Sequence, residues 1–502
     1  MKISIDRNST VSIAKQIYLE IENRIRTGIF KSEAKLPSIR SVSKATNVSP
    51  MTVVKAYELL TKEGLIYKIH GKGTFVKDIR LPSKIDKSIN EKIDTTNTDL
   101  LWQDEVQDYV KRTGYVQRTM QRGKDTGVNL LTAALHHRFL PTETIIKKFN
   151  DSLNKNYSKL GLYPPVEGDP GLIRGVRLYL ENKSVEADID EILITNGSQL
   201  AINLTAQTFI GYGDVVVVEA PTFPGAIDVF KSRGAVVLEV PIDETGIKID
   251  ALLMICEKYP VKMVYTMPSF QNPTGYTMSL DVMQDILELS NEHNFIILED
   301  DSWGDLSYER IARPLKSLDR NGRVIYIGGF SKIFGPAYRL SALVASGSLR
   351  SKLIAAKSSL DSGASLINQY MIEPYINSLE QKQHLTWLRH ELKNLRDRVI
   401  AHLKSIMPSY IKLVVPKGGL VLWLSFPQKF DCKLLYYKAI TEENISFLLG
   451  DNCYSSIRGS NQLRICFTYV EEGLLIDSIT RLIRMIKEVH GQCIDSLQMP
   501  MI

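Results

Sequence analysis

The chain has 502 residues, enough for more than one domain and a large core. Its 44% apolar and 24% charged content excludes a disordered or fibrous chain and leaves an ordinary globular protein. The net charge of +6 is unevenly placed: residues 1–78 carry 14 Lys+Arg against 7 Asp+Glu, a surplus of +7, and the remainder is close to neutral. A basic module on a neutral body points to nucleic acid as that module's partner. No apolar run approaches the ~20 residues of a membrane span. The polar N-terminus has no signal-peptide core. The five cysteines (Cys256, Cys432, Cys453, Cys466, Cys493) are scattered without a CxxC, which predicts a reduced cytoplasmic protein with no zinc site and no membrane association.

Ile13, Ile17, Ile21 and Ile25 recur every fourth residue and predict an amphipathic helix of about 15 residues ending near Thr27-Gly28. Pro37-Ser38 opens a short second helix, with Ser38 as N-cap and Val42 and Ala45 turned inward. A turn at Asn47-Val48 follows. Ser49 then caps a third helix reaching about Glu63, with Val53, Ala56, Tyr57 and Leu60 facing inward. Two short strands, Leu65 to Ile69 and Thr74 to Val76, are joined by His70-Gly71-Lys72-Gly73. Three helices and a glycine-tipped hairpin make a winged helix-turn-helix.

The motifs Leu36-Pro37-Ser38-x-Arg40, Val48-Ser49-x-x-Thr52-Val53, Lys62-Glu63-Gly64-Leu65-Ile66 and Gly71-x-Gly73-Thr74-Phe75-Val76 resemble the GntR family of bacterial DNA-binding domains. The resemblance implies that the third helix enters the major groove of double-stranded DNA. Arg40, Ser49, Thr52 and Lys55 would meet phosphates or base edges, and the wing at Gly71, Lys72 and Gly73 would touch the backbone or minor groove. Pro50 and Met51, often polar or basic in that family, offer only apolar contacts here.

Residues 79–99 are charged and polar, with too little apolar surface to pack, and read as a tether; residues 100–122 read as a lead-in helix. The domains expected are therefore 1–78 (DNA-binding), 79–127 (linker and lead-in helix) and 128–502.

From residue 128, apolar runs alternate with helical stretches. The runs are Ile192–Thr195, Val215–Glu219, Val236–Val240, Met263–Met267, Phe295–Glu299 and Val324–Ile327; the helices include 198–209, 223–231 and 279–293. This is the pattern of a mostly parallel α/β sheet, whose ligands sit beyond the carboxyl ends of its strands. The chemistry-bearing residues fall at those ends. Ser198 and Gln199 open a helix suited to a phosphate. Phe223 offers a ring for stacking on a flat heteroaromatic. Asn272 can donate to a phenolate oxygen, and Asp300 can hold a pyridinium proton. Ser331-Lys332 ends the run Val324–Ile327. Lys332 is a usable amine nucleophile for an aldehyde, and Arg339, seven residues on, can clamp a phosphate. Aldehyde plus phosphate describes pyridoxal 5′-phosphate (PLP). Arg464, in a late β run, suits a bidentate grip on a carboxylate.

In that order these pieces, with Tyr163-x-x-x-x-Gly168, Leu172-Ile-Arg174 and Gly418-Gly419-Leu-Val-Leu-Trp423, resemble the fold-type I, class I/II aminotransferases. The resemblance implies that Lys332 is the internal aldimine lysine, the one catalytic residue. Asp300 pairs with the ring nitrogen, Asn272 with the 3′-oxygen, and Phe223 stacks on the ring. Ser198, Gln199, Ser331 and Arg339 hold the phosphate, and Arg464 binds a substrate carboxylate. Tyr163 reaches the phosphate of a neighbouring subunit, which implies a homodimer. Two positions depart from the family. Trp303 stands where a tyrosine is usual; its indole N–H can donate to the 3′-oxygen but cannot ionise. Gly329 stands where a Ser or Thr is usual, which removes one phosphate hydroxyl and lowers affinity by roughly tenfold or less.

A GntR-like winged helix joined to an aminotransferase-like domain is the layout of the MocR subfamily of transcriptional regulators. It implies a multidomain protein whose effector is PLP, or an amino compound condensed with it at Lys332. The alternative is a working aminotransferase, taking an amino acid and a 2-oxo acid, with an appended DNA-binding module. A third reading is a DNA-binding repressor whose large domain has lost PLP and only dimerises.

Overall fold

A computed structural model describes residues 12–26, 34–46, 48–69, 73–77, 127–309, 312–456 and 459–498. The expected turn residue Asn47, the wing residues Gly71 and Lys72, the tether and the lead-in helix lie outside the described residues. The chain divides into two compact units.

In the first, helices α1 (Ile13–Arg26), α2 (Ile39–Thr46) and α3 (Pro50–Lys62) precede a hairpin of β1 (Ile66–Ile69) and β2 (Gly73–Val76). The fourfold isoleucine spacing of α1 puts Ile17, Ile21 and Ile25 on one face, where they meet Val53, Ala56, Tyr57 and Leu60 of α3 in a closed core. Ser38 and Ser49 sit where caps were expected. Each hydroxyl accepts a hydrogen bond at 3.2 Å, from Ser41 N and Thr52 N respectively. Tyr57 donates to Pro37 O at 2.6 Å and ties α3 to the start of α2. One inward residue differs from expectation: Ala45 is exposed and Thr46 is buried instead. The buried stripe of this two-turn helix runs Val42–Thr46, an i,i+4 step. Thr46 can be buried because its hydroxyl donates to Val42 O at 2.7 Å.

The second unit opens with β3 (Val128–Asn129) and is built on an eight-stranded sheet. Its strands are β4 (Ile192–Thr195), β5 (Val215–Ala220), β6 (Val236–Asp243), β7 (Gly246–Ile247), β8 (Val261–Thr266), β9 (Ile296–Asp301), β10 (Val324–Gly329) and β11 (Ser341–Val344). The spatial order is β4-β11-β10-β9-β8-β5-β6-β7. Strands β10, β9, β8, β5 and β6 pair in parallel; β11 runs antiparallel to both β10 and β4, and β7 to β6. The six expected strands and the helices Ser198–Phe209, Pro224–Ser232 and Leu280–His293 are all present within a few residues of the expected bounds. Strand β11 lies outside the expected runs. Strands β4, β5 and β10 are buried at every residue, as continuous apolar runs predict, whereas β6 near the sheet edge is only partly buried.

A smaller sheet, in the order β12-β13-β16-β15, is formed by β12 (Lys412–Val414), β13 (Val421–Ser425), β15 (Leu448–Leu449) and β16 (Gln462–Cys466); β14 (Ile445–Ser446) pairs with β3. Among the described residues no helix is long and apolar enough to cross a membrane.

Candidate functional site

The carboxyl ends of β4, β5, β8, β9 and β10 converge on a cavity of about 370 Å3, and β15 and β16 close its far side. Lys332, Asp300, Asn272, Phe223, Ser198, Gln199, Ser331, Arg339, Trp303 and Arg464 all line this one cavity. Residues up to 266 positions apart are brought together because those of the large sheet lie at or beyond the carboxyl ends of its parallel strands, while Arg464 reaches the same cavity from β16 of the small sheet. Tyr163 does not join them: it is 92% exposed and lies outside the cavity.

Strand β9 ends in three consecutive carboxylates, and alternation along the strand separates them. Glu299 turns away from the cavity and accepts from Leu315 N at 2.8 Å and Lys316 N at 2.7 Å; burial pushes its carboxyl up to about 8. Asp301 takes the Lys183 ammonium at 2.5 Å and the Tyr326 hydroxyl at 2.7 Å. Only Asp300, between them, lines the cavity. It is 3% exposed, and its Oδ2 accepts from Tyr265 OH at 2.9 Å while its Oδ1 accepts from Ser302 N at 3.1 Å and from the Ser302 hydroxyl. Burial raises its pKa, and the Ser302 and Tyr265 bonds partly offset that rise. A buried carboxylate held on both oxygens is suited to pairing with a ring N–H.

Lys332 follows β10. Its amine donates to Ala133 O, and burial in the cavity wall pulls its pKa down to about 8. The Arg464 and Arg339 guanidiniums push it further down, while Cys466 and Asp300 act in the opposite sense. A substantial share of this amine is therefore neutral, and nucleophilic, near physiological pH.

The phosphate candidates gather at the start of the helix Ser198–Phe209. Gly197, with φ +92°, is its N-cap, and a Cβ there would stand 2.5 Å from Arg339 Nη2. The backbone N–H groups of the first turn, the Ser198 hydroxyl and the Arg339 guanidinium thus share a small cradle that a side chain at position 197 would fill. The Gln199 amide is used differently from expectation: it donates to Gly225 O at 3.1 Å and holds the turn that carries Phe223.

On the opposite wall, Arg464 is 5% exposed on β16, between β13 and β15. Its Nη1 donates to Asn272 Oδ1 at 2.8 Å and its Nη2 donates to Leu131 O; among the described residues its Nε has no partner. An orphaned buried guanidinium donor suits an incoming carboxylate. With the Asn272 oxygen committed, its amide N–H2 is left to face the cavity. The loop beneath Asn272 is braced by a buried network: Gln271 Nε2 donates to Glu219 Oε2 at 3.0 Å, and Glu219 Oε1 accepts from Thr266 Oγ1 at 2.5 Å. Burial pushes Glu219 up to about 7.

Sequence reasoning missed four contributors: Ser302, Tyr265, Ala133 and Asp228, the last lining the cavity beside Phe223 and Gly225. Ser302 stands between Asp300 and Trp303, and a hydroxyl two residues from a functional carboxylate was the available signal; Tyr265 reaches Asp300 from the neighbouring strand β8, which adjacency in sequence does not reveal. Ala133 acts through its backbone carbonyl, which no side-chain pattern reveals.

The donor set matches the four groups of PLP: a carboxylate for its ring nitrogen, an amide for its phenolic oxygen, a cradle for its phosphate and a low-pKa amine for its aldehyde. Among the described residues no cluster of His, Cys, Asp and Glu could hold a metal ion.

Comparison with known proteins agrees with this geometry. Residues 127–476 match the family described as aminotransferase class I and II, and residues 13–76 match bacterial regulatory proteins of the gntR family. The chain is 33% identical over 355 residues to aromatic-amino-acid aminotransferase 1 of Thermococcus litoralis, covering 69% of this chain and 85% of that protein. It is 27% identical over 473 residues to the uncharacterized HTH-type transcriptional regulator YisV of Bacillus subtilis, covering 93% of this chain and 94% of that one. The solved structure of LysN, an alpha-aminoadipate aminotransferase from Thermus thermophilus complexed with N-(5'-phosphopyridoxyl)-L-leucine, superposes with a TM-score of 0.71 at 26% identity, over 78% of this chain and 99% of that one. The chain belongs to the class I and II aminotransferase family, a PLP-binding fold, and carries a GntR-family DNA-binding domain at its N-terminal end. That pairing is the architecture of the MocR-type regulators.

Proposed function

We propose that this protein is a DNA-binding transcriptional regulator whose large domain binds PLP and senses an amino compound at Lys332. The observation that carries the reading is the convergence of nine PLP-type residues and the carboxylate candidate Arg464 on one cavity in a chain that also carries a GntR-type winged helix. YisV, similar along almost the whole chain, is itself named as a transcriptional regulator.

PLP, when bound, supplies a carbonyl for amines and an electron-withdrawing ring. The chain's residues do the rest. Asp300 would receive the ring nitrogen, Asn272 would donate to the phenolic oxygen, and Ser198, Ser331 and Arg339 would hold the phosphate. Lys332, its amine pKa depressed by burial, would be the residue that meets the PLP carbonyl and the one an effector amine would compete with. Arg464, through its orphaned Nε, holds the effector's carboxylate. In the partner of a homodimer, Tyr163 reaches this site, in keeping with its exposure here. Trp303, which has no ionisable hydroxyl, favours sensing over fast turnover.

In the small unit, Arg40, Ser49 and Lys55 are exposed at the start of α2 and along α3, and Met51 is 65% exposed at the tip of α3. These residues face the DNA. The Met51 side chain suits an apolar contact such as a thymine methyl. An effector regulates only through different affinities for two states of the protein. The test is operator affinity, measured by fluorescence anisotropy with PLP and a panel of amino compounds. A change in affinity that Lys332→Ala abolishes supports the reading; sustained turnover of an amino donor and a 2-oxo acid, with operator affinity unaffected, supports an enzyme instead.

A further inference from the structure

Position 329, three residues before Lys332, carries a glycine where the related aminotransferases are expected to place a phosphate-binding hydroxyl. The space is not empty. A Cβ on Gly329 would stand 2.9 Å from Ser198 Oγ, from Ser302 Oγ and from Ser302 Cα. The room has been taken by Ser302, which follows β9 and lines the same cavity wall as Ser198, Ser331 and Arg339. The Ser302 hydroxyl lies 3.1 Å from Ser198 Oγ, at the phosphate cradle, and it makes a short hydrogen bond to Asp300 Oδ1. The Ser302 backbone N–H donates to that same oxygen at 3.1 Å.

We propose that Ser302 supplies the phosphate-facing hydroxyl that position 329 lacks, and that its bond to Asp300 links the phosphate cradle to the carboxylate receiving the ring nitrogen. The inference rests on the reading that this cavity holds PLP. A serine hydroxyl has one hydrogen and two acceptor sites. Ionised Asp300 can only accept, so it holds that hydrogen while no anion competes. A phosphate in the cradle is a stronger, charged competitor. It draws the Ser302 hydrogen toward itself and away from Asp300, which keeps the Ser302 backbone N–H and the Tyr265 hydroxyl as donors. Occupancy of the phosphate cradle is thereby felt at Asp300 as the loss of one donor.

Equilibrium dialysis of the full chain against PLP, and separately against pyridoxal, which lacks the phosphate, tests this. Ser302→Ala is expected to weaken PLP roughly tenfold, the scale of one hydrogen bond to a charged group, and to leave pyridoxal within about twofold. Ser302→Thr, which keeps the hydroxyl, recovers most of the PLP affinity. Gly329→Ser weakens PLP despite adding a hydroxyl, because the backbone at Ser302 Cα leaves no room for its Cβ. Equal losses for PLP and pyridoxal in Ser302→Ala would overturn the phosphate role, and so would tighter PLP binding by Gly329→Ser. An unchanged Ser302→Ala beside a wild type that binds PLP would overturn the inference alone. A wild type that binds neither ligand would overturn the reading of the cavity and this inference together.

Discussion

Arg464 Nη1 donates to Asn272 Oδ1 at 2.8 Å, joining β16 of the small sheet to the loop after β8 of the large one, 192 positions apart in sequence. The residue placed to grip a carboxylate therefore also orients the amide placed to meet the ring oxygen. Arg464→Ala removes the carboxylate partner and also frees Asn272 to turn. It is expected to weaken an amino-acid effector by tens of fold, the scale of a charged hydrogen-bonded pair, and PLP itself by several-fold. Asn272→Ala should weaken PLP similarly, and the double variant should lose less than the two singles combined. Strict additivity in PLP titrations would show that the pair acts as two independent residues.

Lys332 gives the account its pH dependence. Its folded-state pKa, about 8, lies below the ordinary 10.5 because burial disfavours the charged amine. Between these values the unfolded chain binds more protons, so this group's contribution to stability rises as pH rises from about 8 to 10.5 and is least favourable below 8. The neutral amine is also the reactive form. Covalent capture of PLP, followed by stopped-flow absorbance, should accelerate roughly tenfold between pH 7 and pH 9, with its midpoint near 8. In Arg464→Ala the midpoint should move up, since that guanidinium helps to depress it. A midpoint near 10 would mean that the cavity does not desolvate the amine.

Lys55 is exposed on α3, on the side opposite the core residues Val53, Ala56 and Tyr57. Lys55→Ala should weaken operator and non-operator DNA by similar factors and lower the slope of log affinity against log salt by about one. An unchanged salt slope would remove Lys55 from the phosphate contacts.

Tyr57 is buried, and burial pushes its hydroxyl up to about 12. Its bond to Pro37 O fixes α3 against α2. Tyr57→Phe leaves that carbonyl without its partner and should cost about 1 kcal/mol, lowering the small unit's melting transition by roughly 4–8 °C. A transition unmoved in circular dichroism would mean that water replaces the hydroxyl without loss.

Much of this architecture was legible because its physics is local. The fourfold isoleucines of α1, the caps Ser38 and Ser49 and the largely apolar strands β4, β5 and β10 declare themselves within a few residues. Most of the cavity residues stand at or beyond the carboxyl end of a strand of the large sheet, and Arg464 on a late β run, so locating the strands located most of the site. What escaped was set by packing. Ala45 and Thr46 could exchange roles because one hydroxyl bonded back to its own helix. Gly329 looked like a lost hydroxyl in sequence, and only the approach of Ser302 shows what occupies its place. The Gln199 amide, expected at the phosphate, instead holds the Phe223 turn, a contact 26 positions away.

The central claim is that an amino compound acts on DNA binding through Lys332. It is tested most directly by anisotropy of labelled operator DNA with PLP-loaded wild type and Lys332→Ala, titrated with amino compounds while the visible spectrum is recorded on the same samples. The account predicts one class of compound that shifts the wild-type spectrum and its operator affinity over the same concentration range, with neither change in Lys332→Ala. A compound that saturates the spectral shift while operator affinity stays constant would contradict it.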